Sequence, residues 1–212
     1  MSFQSQDSAL SGLDNSDVNV TKEKVVYDGF FKMQEYHFTH KLFNGEWSET
    51  VRREIFERGH AVAVLPYDPI QEEFVLIEQF RFGAMATSQT PWLVEVIAGM
   101  IDKDQTPDEV CKREAKEEAG IELECLTKVL SYLSSPGGTT ERLHIYLAKV
   151  DSTTAQGIHG LASESEDIRV LRVPEAQAIK WLHDGTIDNA AAIIALQWFM
   201  LNKSKLIEDW LE

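Results

Sequence analysis

The chain of 212 residues is poor in cysteine, in basic charge and in long apolar runs. Its two cysteines, Cys111 and Cys125, are too few for a disulfide framework and do not stand at zinc-ligand spacing, so a reducing compartment is the simpler reading. Lys and Arg number 20 against 35 Asp and Glu, a net charge of −15 that repels a nucleic-acid backbone, and no basic cluster reverses it locally. The longest apolar stretch, Ala190 to Leu201, contains Gln197 and is too short to span a bilayer. The N-terminus, MSFQSQDSALSGLDNSD, lacks the basic start and apolar run of a secretory or organellar signal and reads as a disordered tail. These absences together point to a cytoplasmic protein that binds neither nucleic acid nor membrane. What is present, 43% hydrophobic and 26% charged residues, is ordinary for a globular protein with a sizeable core. An acidic protein can still bind a phosphorylated small molecule where a divalent cation or a few arginines reverse the sign in one cleft.

Along the chain, Lys24 to Arg58 is strand-like and is interrupted by an Asn44-Gly45 turn. This stretch is too small and flat to be stable alone, so it must pack on the rest of the chain or on a partner. AVAVLPYD and EFVLIEQFRF form an expected strand pair, and LVEVIAG reads as one buried strand. Further strands are expected at Thr127–Leu133, Arg142–Val150 and Ile168–Val173. Two helices close the chain. Pro174 is expected in the first turn of one and Gly185 past its end, and Asp188 or Asn189 is expected to cap the other.

The densest chemistry lies at residues 99–121, GMIDKDQTPDEVCKREAKEEAGI. Thr106, Pro107 and Glu109 read as a helix start with a capping box, and Gly120 as its stop. Glu114, Glu117 and Glu118 then stand at i, i+3 and i+4 and share one helix face. Like charges so placed repel unless a cation sits among them, and an all-oxygen cluster suits a hard ion such as Mg²⁺ or Mn²⁺. For an isolated helix the alternative is a solvated charged face in which Lys112, Arg113 and Lys116 pair locally with the glutamates.

The surrounding pattern favours the cation. Gly99, Arg113, Glu114, Ala115, Glu117, Glu118, Gly120 and Ile121 stand in register with the signature of the Nudix hydrolases, which this segment resembles. One position departs, since Gln105 stands where that family usually has glutamate. The resemblance implies an α/β/α sandwich with a mixed sheet (residues 58–212) and a small N-terminal antiparallel β domain (residues 1–57) that exchanges across a homodimer. It further implies that Glu114, Glu117, Glu118 and the Ala98 carbonyl hold two or three Mg²⁺ ions while Arg113 orients the glutamates. Such ions activate water and neutralise charge developing on a diphosphate.

Beyond the signature, the chain resembles the ADP-ribose pyrophosphatase branch of that superfamily. Pro136 lies 15 residues beyond Ile121 (136 − 121), where that branch has a proline. The N-terminal strands resemble its dimerisation domain, and GIHGLASESEDIRV resembles its mobile acidic loop. In that loop Glu164 and Glu166 are candidates for the general base, Glu164 being preferred by position, against the alternative of a solvated connection. Arg53 and Arg81 are candidates for the nucleotide, each with a structural role as the alternative. Phe30 is the candidate for adenine stacking, ahead of Trp47, and its alternative is a place in a strand core. Glu141 is a candidate for the ribose hydroxyls and Glu95 for the nucleotide or the metal site. The expected reaction is hydrolysis of ADP-ribose to AMP and ribose 5-phosphate. Another nucleoside diphosphate sugar, or a non-catalytic ADP-ribose-binding module, stands as the alternative.

Overall fold

The computed structural model describes residues 11–211, and the tail expected at the N-terminus lies largely outside them. The chain divides into two compact units: one ends at Arg58 and includes Ser135–Glu141, and the other comprises Gly59–Ser134 and the chain from Arg142 onward.

The first unit is an antiparallel sheet of β1 (Val18–Asp28), β2 (Lys32–His40) and β3 (Val51–Glu57), in that order. Strand structure begins at Val18, earlier than the expected Lys24, because β1 pairs with β2 along its whole length. The Asn44-Gly45 turn is present: Gly45 takes φ +87°, and the Asn44 side chain accepts from the Glu46 N–H at 2.9 Å. At the centre of the sheet the buried Glu35 carboxylate accepts from His37 at 3.0 Å, Lys22 at 3.3 Å and Arg52 at 2.7 Å. The His37 and Lys22 hydrogen bonds hold its carboxyl down to about 2. Ser135–Glu141 belongs with this unit because the β3 backbone continues onto it. The Phe56 N–H donates to the Gly138 carbonyl at 2.8 Å, Thr140 donates to Glu57, and Arg58 pairs with Glu141 at 3.1 Å. The expected split into 1–57 and 58–212 did not include this return of the chain.

The second unit is built on β4 (Ala61–Asp68), β5 (Glu73–Phe80), β6 (Trp92–Glu95), β7 (Ile97–Met100), α1 (Pro107–Ala119), β8 (Glu124–Leu133) and β9 (Arg142–Lys149). It is completed by β10 (Ile158–His159), β11 (Ile168–Pro174), α2 (Glu175–Asp184) and α3 (Ala190–Leu211). The sheet runs β10-β11-β5-β4-β9-β8, with β6 on β5 and β7 on β4; β4 and β9 are parallel and the remaining pairs antiparallel. LVEVIAG is therefore two strands rather than one, because the chain leaves β5 for β4 at the buried Val96. Pro174 closes β11 and caps α2 from outside its first turn. Asn189 caps α3, accepting from the Ala191 N–H at 3.0 Å, whereas Asp188 accepts from Ser88.

Every residue of β4 is buried, so its alternation sorts two cores rather than core from solvent. Val62 and Val64 pack with Val110, Cys111, Ala115 and Ala119 of α1. Ala63, Leu65 and Tyr67 pack with Phe74 of β5 and with Ala195, Leu196 and Phe199 of α3. The result is the expected α/β/α sandwich. Among the described residues no helix is long and apolar enough to cross a membrane. The rings of Tyr67, Phe74 and Phe199 meet with centroids 4.6–4.9 Å apart. Phe199→Ala removes the α3 member of this cluster, and urea unfolding is expected to register a loss of about 3–5 kcal/mol.

Candidate active site

Helix α1 begins as its sequence dictates. The Thr106 N–H donates to the Glu109 carboxylate at 2.8 Å, the Glu109 N–H returns to Thr106 Oγ1, and Pro107 occupies the first helical position. It ends at Gly120, whose φ of +66° is open to glycine at little strain. Between these limits Val110, Cys111, Ala115 and Ala119 draw one face onto the sheet, and the same anchoring carries Glu118 inward. Glu118 is 3% exposed, and its Oε2 accepts from the Ala98 N–H of β7 at 3.1 Å. Beside it, a Cβ added to Gly99 would overlap the Glu114 carboxylate, so the absence of a side chain there leaves room for that carboxylate against the strand.

Arg113 organises the face toward solvent. Its guanidinium meets Glu114 at 2.9 Å, Glu117 at 2.9 Å and Gln105 Oε1 at 3.4 Å. The departure at Gln105 thus keeps an acceptor for Arg113 without adding a further charge. Burial pushes the Glu118 carboxyl up to about 8 and that of Glu114 to about 7, with neighbouring carboxylates adding to both. The charges of Glu164 and Glu166 are among those raising Glu114, which places the loop carboxylates in the field of the helix. The loop is tied to α1 where the Gly160 N–H donates to the Glu117 carbonyl at 3.1 Å. Glu166 accepts from the Leu161 N–H at 3.0 Å, whereas Glu164 ends a short helical turn and is exposed.

Arg81 follows β5, and its Nε donates to Glu95 Oε2 at 2.8 Å. Its charge lowers the Glu118 carboxyl against the effect of burial. Glu95, 5% exposed, also accepts from Gln79 at 3.1 Å and Asn189 at 2.6 Å, so its carboxylate is engaged within the protein rather than turned to solvent. Ala98, Arg113, Glu114, Glu117, Glu118, Arg81, Glu95, Glu164 and Glu166 all belong to the second unit. Phe30, Arg53 and Glu141 belong to the first. Phe30 is 89% exposed at the β1–β2 turn, edge-on to Phe31, so the core alternative for it falls away. Arg53 is exposed on β3 and donates to the Arg52 carbonyl, and Glu141 is buried against Arg58. Trp47 lies beneath Lys41 at 4.8 Å. Gln79 and Asn189 were not among the expected site residues; the one sign of Gln79 was an amide inside the apolar run FVLIEQF.

The donor set fits a hard divalent cation: oxygens from one helix face, with Glu118 desolvated and faced by a single backbone donor among the described residues. Among the described residues no three His, Cys, Asp or Glu side chains are gathered closely enough to hold a metal ion, and Arg113 holds Glu114 and Glu117.

The NUDIX domain family matches residues 57–191. The chain is 53% identical over 195 residues to an ADP-ribose pyrophosphatase of Escherichia coli (strain K12), covering 92% of this chain and 93% of that protein. It is 44% identical over 211 residues to an ADP-ribose pyrophosphatase of Haemophilus influenzae, covering 98% and 97%. A GDP-mannose pyrophosphatase of Pectobacterium atrosepticum is 33% identical over 184 residues, covering 86% and 94%. A crystal structure described as an ADP compounds hydrolase shares the fold, with a TM-score of 0.66 at 20% identity over 92% of this chain and 94% of that one. The chain belongs to the NUDIX family. It is a Nudix hydrolase.

In the cation-free protein, raised carboxyls at Glu114 and Glu118 mean that the folded chain keeps protons the unfolded chain releases above about pH 4.5. These groups therefore cost nothing at pH 4 and progressively destabilise the fold as pH rises toward 8. Glu118→Gln is expected to raise the thermal midpoint of cation-free protein at pH 8 and to change it little at pH 4.5, as read by calorimetry.

Proposed function

We propose that this Nudix hydrolase cleaves the diphosphate bond of ADP-ribose to AMP and ribose 5-phosphate, with Mg²⁺ as the cation, Mn²⁺ as its substitute and two or three ions bound. The observation that carries the reading is the 53% identity with an ADP-ribose pyrophosphatase over nearly the whole chain, beside 33% with a GDP-mannose pyrophosphatase. The second relative keeps another nucleoside diphosphate sugar as the alternative. A non-catalytic binding module is disfavoured by the buried Glu118, because desolvating a carboxylate costs stability that a binding surface has no need to give up.

Glu114, Glu117 and Glu118 would hold the cations. The Ala98 carbonyl would join them, since a strand residue's N–H and C=O project to the same edge and this N–H already meets Glu118. Bound there, the cations supply charge neutralisation for the diphosphate and lower the pKa of bound water. Arg113 holds the glutamates in place and exchanges part of that contact for the cations. Arg81 supplies a fixed positive charge to the diphosphate from its seat on Glu95. Glu164, exposed at the end of its turn, takes the proton of the attacking water, while Glu166 is anchored to Leu161 and shapes the loop.

Phe30 stacks on adenine, Arg53 meets the nucleotide and Glu141 the ribose hydroxyls. β1 is exposed along its whole length, with Val18, Val20, Val25, Val26 and Tyr27 open to solvent, which fits a face that a second copy of the chain covers in a homodimer. Free thiols at Cys111 and Cys125 fit a reducing compartment such as the cytoplasm.

A panel of nucleotide sugars, assayed with Mg²⁺ and alkaline phosphatase as the coupling enzyme, is expected to show ADP-ribose turned over fastest. Preference for GDP-mannose would select the alternative, and tight ADP-ribose binding without turnover of any member would select the binding module. Glu118→Gln is expected to lower kcat by orders of magnitude with the fold intact, and near-full activity would remove it from the metal set. Phe30→Ala is expected to raise KM with a modest change in kcat, and an unchanged KM would take Phe30 out of the adenine site.

A further inference from the structure

We propose that Asn189 is a positioning residue for the reaction, holding Arg81 in its substrate-facing place through Glu95 while capping α3. This rests on the reading that Arg81 meets the diphosphate of the substrate.

The geometry leaves one orientation for the Asn189 amide. Its Oδ1 accepts from the Ala191 N–H at 3.0 Å and the Ala192 N–H at 3.4 Å, so the oxygen must face the helix and Nδ2 must face away. There Nδ2 donates to Glu95 Oε1 at 2.6 Å. Glu95 Oε2 accepts from Arg81 Nε at 2.8 Å and from Gln79 Nε2 at 3.1 Å. A helix N-terminus, a buried carboxylate and an arginine half open to solvent are thereby joined in a single chain of hydrogen bonds. The polarity converges on Glu95. The α3 amides donate to Asn189, Asn189 donates to Glu95, and Arg81 donates to Glu95 from the other side. Glu95 is 5% exposed, so no water competes freely for its oxygens. An aspartate in place of Asn189 would cap α3 equally well but would set two carboxylates against each other, and Glu95 would leave its post beneath Arg81. A glutamine in place of Glu95 would repair that clash, giving its amide to residue 189 and its carbonyl to Arg81, with the charge of the pair unchanged.

The test compares Asn189→Asp, Glu95→Gln and the double variant. Asn189→Asp is expected to keep a near-wild-type unfolding midpoint, to raise KM for ADP-ribose on the order of tenfold with a smaller change in kcat, and to shift or broaden the Arg81 Nε–H NMR signal, assigned through its loss in Arg81→Lys. The double variant is expected to restore both KM and the signal. A wild-type KM and an unmoved signal in Asn189→Asp would overturn the proposal, as would a double variant no better than the single. If the wild-type protein turns over no nucleotide sugar, the functional reading fails, and the Arg81 signal still decides the relay by the same criterion.

Discussion

The contact between Gly99 of β7 and the Glu114 carboxylate of α1 is the constraint on which the rest of the site depends. With no side chain at position 99, the acidic face of the helix lies directly on the strand, and Glu118, one turn on, reaches the Ala98 N–H. A methyl group there would overlap the Glu114 carboxylate and force that side chain to turn aside from the strand. The apolar residues of α1 force this contact, because burying Val110, Cys111, Ala115 and Ala119 against the sheet carries the neighbouring Glu114 and Glu118 inward with them.

That packing grades three chemically identical side chains. Glu117 stays nearest the solvent, Glu114 is partly buried with its carboxyl at about 7, and Glu118 is almost fully buried with its carboxyl at about 8. Arg113 compensates the outer two and leaves the innermost to a backbone donor. The protein thus carries a desolvation cost in its fold that a divalent cation bound there would offset. Arg81 is fixed by Glu95, a buried carboxylate of β6.

Much of this was legible in the sequence because it is local. The caps at Thr106 and Gly120, the i, i+3, i+4 glutamates and the strand character of AVAVLPYD depend on residues a few positions apart. The features that escaped are those in which distant segments meet. Ser135–Glu141 extends β3 from 82 positions away (138 − 56), LVEVIAG splits because two different neighbours claim its halves, and Asn189 reaches Glu95 across 94 positions. Glu95 shows the same limit. Its position before the box marked it for substrate or metal, and only the fold reveals that its oxygens hold Gln79, Arg81 and Asn189.

The central claim is that buried, proton-bearing carboxylates on α1 form the cation site. It is tested most directly by titrating the protein with Mg²⁺ at pH 7 in buffers of different ionisation enthalpy and counting the protons released per cation. The account predicts about one proton or more per cation bound, falling sharply in Glu118→Gln, because carboxyls at about 7 and 8 must ionise to become ligands. Tight Mg²⁺ binding with no proton release, or release unchanged in Glu118→Gln, would contradict it.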